Sequence, residues 1–176
     1  MILVTPGQLR SAASSVAREL DSLGIYDERL RSVEVRLAPL ALDCLGWWDG
    51  EIRIPAVSLP RLGELFGRAR SSLREVLRHE FGHALADTHR GLVRSSRFVE
   101  AFGAPHYSGV CWEYDPEHHV SPYASTLPME DFAETFAAFV RRAGNLPPHA
   151  DTVPIRRKWR FLRGLCGAVR RGVRRW

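Results

Sequence analysis

Two histidines four positions apart, His79 and His83, enclose Glu80 in the stretch Arg78-His79-Glu80-Phe81-Gly82-His83. The surrounding residues, from Ser71 to about His89, read as a helix, with Val76, Leu77, Phe81, Ala84 and Leu85 available to pack. On an α-helix, residues four apart lie one turn along the axis and only about 40° around it. The two imidazoles can therefore point at one Zn²⁺ ion. Glu80 lies one step round the helix, where its carboxylate can take a proton from a water activated by the ion without filling a coordination position. Patterns with three fixed positions also arise by chance. The helical setting favours a site, and a third ligand has to come from elsewhere.

Two candidates exist for that ligand. His89 stands six residues beyond His83, the metzincin spacing, but that arrangement needs a helix-ending glycine where this chain has Ala86, a strong helix former. If the helix continues, His89 points about 240° away from His83, and a partly exposed histidine at the helix end is the expectation. The other candidate lies in Glu130-Asp131-Phe132-Ala133-Glu134-Thr135-Phe136. Glu130 and Glu134 are again four apart, on a helix whose other positions, Phe132, Phe136, Phe139 and Val140, are apolar. Inward-facing carboxylates are costly without a cation or donors. Glu130 can complete the zinc shell while Glu134 accepts the outer N–H of a ligand histidine; the bland alternative is a solvated face with ordinary surface glutamates.

The remaining elements set these motifs in order. Thr5-Pro6 reads as an N-cap with proline in the first turn of a helix from Gln8 to Leu23. Val33–Leu37 alternates like a half-buried strand, Trp47-Trp48-Asp49-Gly50 reads as a turn, and Glu51–Pro55 as a short strand placed near a sheet edge by its proline. Helices are expected over Leu62–Arg68, Ser95–Phe102, Met129–Arg142 and from Ile155 to Trp176. Between Gly103 and Pro128 the chain is rich in Gly, Pro, His, Tyr and Ser without periodicity, a loop length usually tied to function or mobility. Helix, strands, then helices is an α+β order.

At the two motifs the chain resembles the gluzincin metallopeptidases, in particular the catalytic domain of anthrax lethal factor and its bacterial relatives. His79-Glu80-Phe81-Gly82-His83-Ala84 is similar to that group's zinc helix, and the stretch from Tyr123 to Phe136 is similar to its second motif. The likeness covers roughly residues 71 to 142 and is weak in the middle. It implies a compact zincin-like domain with a small mixed sheet, Zn²⁺ as cofactor and hydrolysis of peptide bonds. It also implies that Glu130 is the third ligand, Glu134 the supporting carboxylate, and Tyr123 the phenol that stabilises the oxyanion. Peptide substrate would add to an edge strand upstream of the zinc helix, for which Glu51, Ile52, Arg53 and Ile54 are the candidates. Nothing in the sequence resembles lethal factor's targeting domains, so the likeness leaves the choice of peptide open.

Composition bounds the rest. At 176 residues, 45% apolar and 26% charged, the chain suits one globular domain over 1–176 and excludes disorder, collagen-like repeats and disulfide miniproteins. No apolar run approaches the roughly 18 residues of a membrane span, and the start lacks a signal-peptide pattern. With only three cysteines, the expectation is a cytoplasmic protein in a reducing compartment. Residues 152–176 carry nine basic side chains and no acidic one, leaving 16 basic against 20 acidic in the remainder, or −4. Ile155, Trp159, Leu162, Cys166, Val169, Val173 and Trp176 form one apolar stripe on that segment. A basic helix docked on an acidic body is one reading of it, and contact with nucleic acid or an anionic membrane surface another. On the latter view the chain is a zinc-stabilised binding module rather than an enzyme, and a latent protease awaiting activation is a third alternative. Cys111 is a candidate latency ligand against a small buried hydrophobe, and His106, His118 and His119 are candidates for a substrate wall or second metal site against ordinary loop histidines.

Overall fold

The computed structural model describes residues 3–39, 45–65 and 72–176. Helix α1 (Pro6–Ser22) starts at a capping box: Gln8 N–H donates to Thr5 Oγ1 at 3.2 Å and Thr5 N–H donates to Gln8 Oε1 at 2.9 Å. Its inner face, Leu9, Ala12, Val16 and Leu20, is buried. A short helix α2 (Glu28–Arg31), capped by Asp27, leads into strand β1 (Glu34–Ala38).

Strands β2 (Gly46–Trp48) and β3 (Glu51–Pro55) complete a three-stranded mixed sheet in the order β1-β3-β2. β3 runs parallel to β1, with Val35 opposite Ile52 and Leu37 opposite Ile54, and antiparallel to β2, with Trp47 also opposite Ile52. This overturns two expectations. Trp47 and Trp48 belong to a strand, and the turn is Asp49-Gly50 alone, both at positive φ (44° and 89°), as a tight hairpin requires. Glu51–Pro55 is the middle strand. Pro55 is tolerated because it is the last residue of β3, where the ladder ends.

Helix α3 (Leu59–Leu65) follows; the expected continuation to Arg68 lies outside the described residues, as does Cys44. Helix α4 (Leu73–Thr88), capped by Ser72, runs through the middle of the molecule and is buried along most of its length. α1, the sheet and helix α7 (Pro128–Arg141) pack around it. Short helices α5 (Arg90–Val93) and α6 (Ser96–Phe102) lead to the long irregular segment, broken by one 3₁₀ turn at Tyr123–Ser125. Helix α8 (Val153–Arg170) buries Ile155, Trp159, Leu162, Leu165, Cys166 and Val169 in the core. It does not run to Trp176: it stops at Arg170, the chain turns at Gly172 (φ 68°), and the indole N–H of Trp176 donates to Leu92 O at 2.8 Å. Among the described residues no helix is long and apolar enough to cross a membrane.

Candidate metal centre

α4 and α7 cross closely because of a glycine. A Cβ on Gly82 would sit 3.0 Å from the Ala133 backbone, a contact tight enough that any larger residue would press the two helices apart by a few tenths of an ångström. Gly82 is within the His79–His83 turn and Ala133 lies between Glu130 and Glu134, so the crossing point is also where the four polar side chains meet. His79 Nε2 and His83 Nε2 lie 3.1 Å apart, and Glu130 Oε2 lies 3.2 Å from the first and 3.4 Å from the second. Three ligands bound tetrahedrally to zinc at about 2.0–2.1 Å would be about 3.3 Å apart. The triangle fits the ion, and these three residues are the group among the described residues whose ligand atoms converge in this way.

Two further observations bear on the fit. Glu130 Oε2 is shut away from solvent and meets no donor in hydrogen-bonding geometry. Such an oxygen is costly unless a cation faces it. On the other side of His79, Nδ1–H donates to Glu134 Oε1 at 2.8 Å, which leaves the Nε2 lone pair turned towards Glu130 and His83. Glu134 Oε2 in turn accepts from Ser121 Oγ at 2.8 Å, tying the irregular segment to the site. Burial pushes the Glu130 carboxyl up, but His79 and His83 outweigh it and hold it well below the usual carboxylate range. Burial lowers His79, whereas in His83 the neighbouring carboxylates of Glu130 and Glu80 outweigh burial and raise it.

Glu80 is buried beside the triangle, and the Trp47 amide donates to its Oε2 at 2.7 Å. Gly46 makes that contact feasible: its φ is 79°, and a Cβ there would lie 2.7 Å from the same carboxylate oxygen. Tyr123 stands at the mouth with its ring centre 5.9 Å from that of His79. Glu80, His79, His83, Glu130 and Tyr123 all line one open cleft of about 760 Å³, together with Trp47 and Trp48 of β2.

Other residues fall elsewhere. β3 has β1 on one side and β2 on the other, so the backbone of Glu51, Ile52, Arg53 and Ile54 is engaged in pairing rather than open to a substrate strand. β2 holds the outer position in the sheet and, unlike β3, borders the cleft. His89 is 3% exposed, not partly exposed: it ends α4, its Nε2 lies 3.1 Å from Asp27 Oδ2, and it is not one of the converging ligands. Cys111 is exposed and outside that group as well. His118 pairs with Asp115 at 2.7 Å. His106 is buried on the cleft wall against Phe98 and Phe132, and burial holds its ring down to about 4.

The motif spacing did not reveal the Trp47 amide, Ser121 or Gly82. Gly46 before two tryptophans was the one available signal for the first. Ser121 carried none. Comparison with protein-family models, with curated proteins and with solved structures finds no match.

Proposed function

We propose that this chain is a zinc-dependent metallopeptidase of the gluzincin type, with a zincin-like domain and a peptide or protein as substrate. The observation that carries the reading is the triangle of His79 Nε2, His83 Nε2 and Glu130 Oε2, with edges of 3.1, 3.2 and 3.4 Å. The motif resemblance to the lethal factor group, carried by the same residues, points to the same reading. When bound there, Zn²⁺ supplies Lewis acidity that polarises a carbonyl and makes a water nucleophilic near neutral pH.

The chain's own residues do the rest. Glu80, held by the Trp47 amide, takes the proton of the attacking water and returns it to the leaving amine. The Tyr123 phenol donates to the oxygen that gains charge in the tetrahedral state. Glu134 fixes the ring orientation and tautomer of His79. A substrate strand laid along β2 would pass the cleft between Trp47, Trp48 and Tyr123.

Elemental analysis of purified wild type, Glu130→Ala and His89→Ala tests the site. Zinc should be present in wild type, lost in Glu130→Ala and retained in His89→Ala. Hydrolysis of a peptide library should accompany the metal and vanish in Glu80→Gln, which keeps its zinc. Wild type that holds no zinc after purification under metal-replete conditions would overturn the reading.

A further inference from the structure

The nine cations of residues 152–176 take no part in the metal centre, and the fold sorts them. Lys158 points inward to Asp131. Arg156 pairs with Asp151, while Arg163 and Arg170 donate to the carbonyls of Gly144 and Leu23. Arg157 and Arg160 are exposed, one turn apart on α8, and meet no acidic partner among the described residues. Both line a groove of about 620 Å³ between α6 and α8.

Arg97 of α6 lines the same groove, its guanidinium 4.8 Å from the centre of the Trp176 ring. Phe161 meets that indole edge-on at 5.7 Å. The indole lies over Gly164, where a Cβ would make an ordinary van der Waals contact with it at 3.5 Å. Glu100 is the one acid among the lining residues, so three guanidiniums stand against one carboxylate over an aromatic floor.

We propose that this groove binds single-stranded nucleic acid, with Arg157 and Arg160 neutralising phosphates and a base stacking on the Arg97, Trp176 and Phe161 surface. The volume lies within the range of small-ligand pockets, about 300–1,000 Å³. That suits one unstacked nucleotide and not a duplex, whose bases stay paired inside the helix. Flat rings beside unpaired guanidiniums are what sequence-tolerant strand binding uses. An acidic peptide would use the arginines and gain nothing from the rings. A bilayer would need an apolar face, and that of α8 is buried in the core.

The test is fluorescence anisotropy of a short labelled single-stranded oligonucleotide with the full chain across a salt series. Two neutralised phosphates give a log–log salt slope of about −1.4 for a single strand. Arg157→Glu with Arg160→Glu should weaken binding at least tenfold, while Arg171→Glu with Arg174→Glu, outside the groove, should change it less than threefold. Circular dichroism of both variants checks that the fold is kept. Equal losses in the two double variants would overturn the proposal in favour of a diffuse electrostatic field. Tighter binding of the matching duplex, of polyglutamate or of phosphatidylserine vesicles would overturn it in favour of that partner. None of these outcomes depends on zinc, so the metal centre stands or falls separately.

Discussion

Lys158 Nζ lies 2.6 Å from Asp131 Oδ2, both side chains almost wholly buried, so that α8 grips α7 one residue from Glu130. Lys158 also donates to the His118 carbonyl, and Thr135 Oγ1 donates to Asp131 Oδ1 at 3.2 Å. The chain's single lysine therefore fastens both α7, which carries Glu130, and the segment that carries Ser121 and Tyr123.

Removing one partner of a buried ion pair strands the other. Lys158→Met should cost about 3–5 kcal/mol in urea unfolding, and the double variant Lys158→Met with Asp131→Leu should recover most of the loss. A double variant no more stable than the single one would show that the pair is not the origin of the effect.

Glu134 touches His79 from the side away from the proposed ion. Glu134→Gln keeps the shape but withdraws the charge that fixes the imidazole. Zinc affinity, read by chelator competition, should fall roughly 10- to 100-fold with little change in thermal unfolding of the apo-protein. Unchanged affinity would remove Glu134 from the site.

Gly82 is where α4 and α7 come closest. The added methyl of Gly82→Ala meets the Ala133 backbone rather than a flexible side chain, and it should cost about 1–3 kcal/mol by overpacking despite alanine's better helix propensity. Because the same crossing sets the distance from Glu130 to the histidines, zinc affinity should drop in parallel. Increased stability would mean the helices have slack here.

His119 is buried against the Trp112 ring, and burial, with Lys158 nearby, holds it down to about 4 from an ordinary 6.5. Between those values the unfolded chain binds a proton that the folded one refuses, so this residue's contribution is full above about pH 6.5 and is lost as pH falls towards 4. Asp131, which burial raises to about 6, acts in the opposite sense, so the comparison must be with a variant. His119→Phe should flatten the fall in stability by up to about 1.4 kcal/mol per pH unit in denaturant titrations between pH 6.5 and 4.5. Identical slopes would refute this.

The helices were legible from periodicity, with Thr5 as the one cap read in advance; Ser72 and Ser95 also begin helices with a side chain accepting from the amide three residues on. Spacing alone brought Glu130 and Glu134 into consideration, because local geometry on a helix is fixed by the count of residues. Strand order was not legible. Pro55 is as compatible with the last position of a middle strand as with an edge, and only the pairing partner distinguishes them. His89 is more buried than its place at a helix end suggests, and its partner Asp27 is remote in sequence and carries no motif. The Trp47 amide and the Ser121 hydroxyl are likewise contacts between distant segments, which no short-range pattern encodes.

α8 wears its arginines outward and spends its apolar residues on the interior. It follows that the cationic segment is no detachable appendage. A proteolytic cut before Val153 would carry off Trp159, Leu162 and Leu165 with the charge, unroofing Phe139 and releasing Asp131 from its counter-ion. Charge at the surface and integrity of the fold are thus inherited as one unit, separable by point substitution but not by truncation.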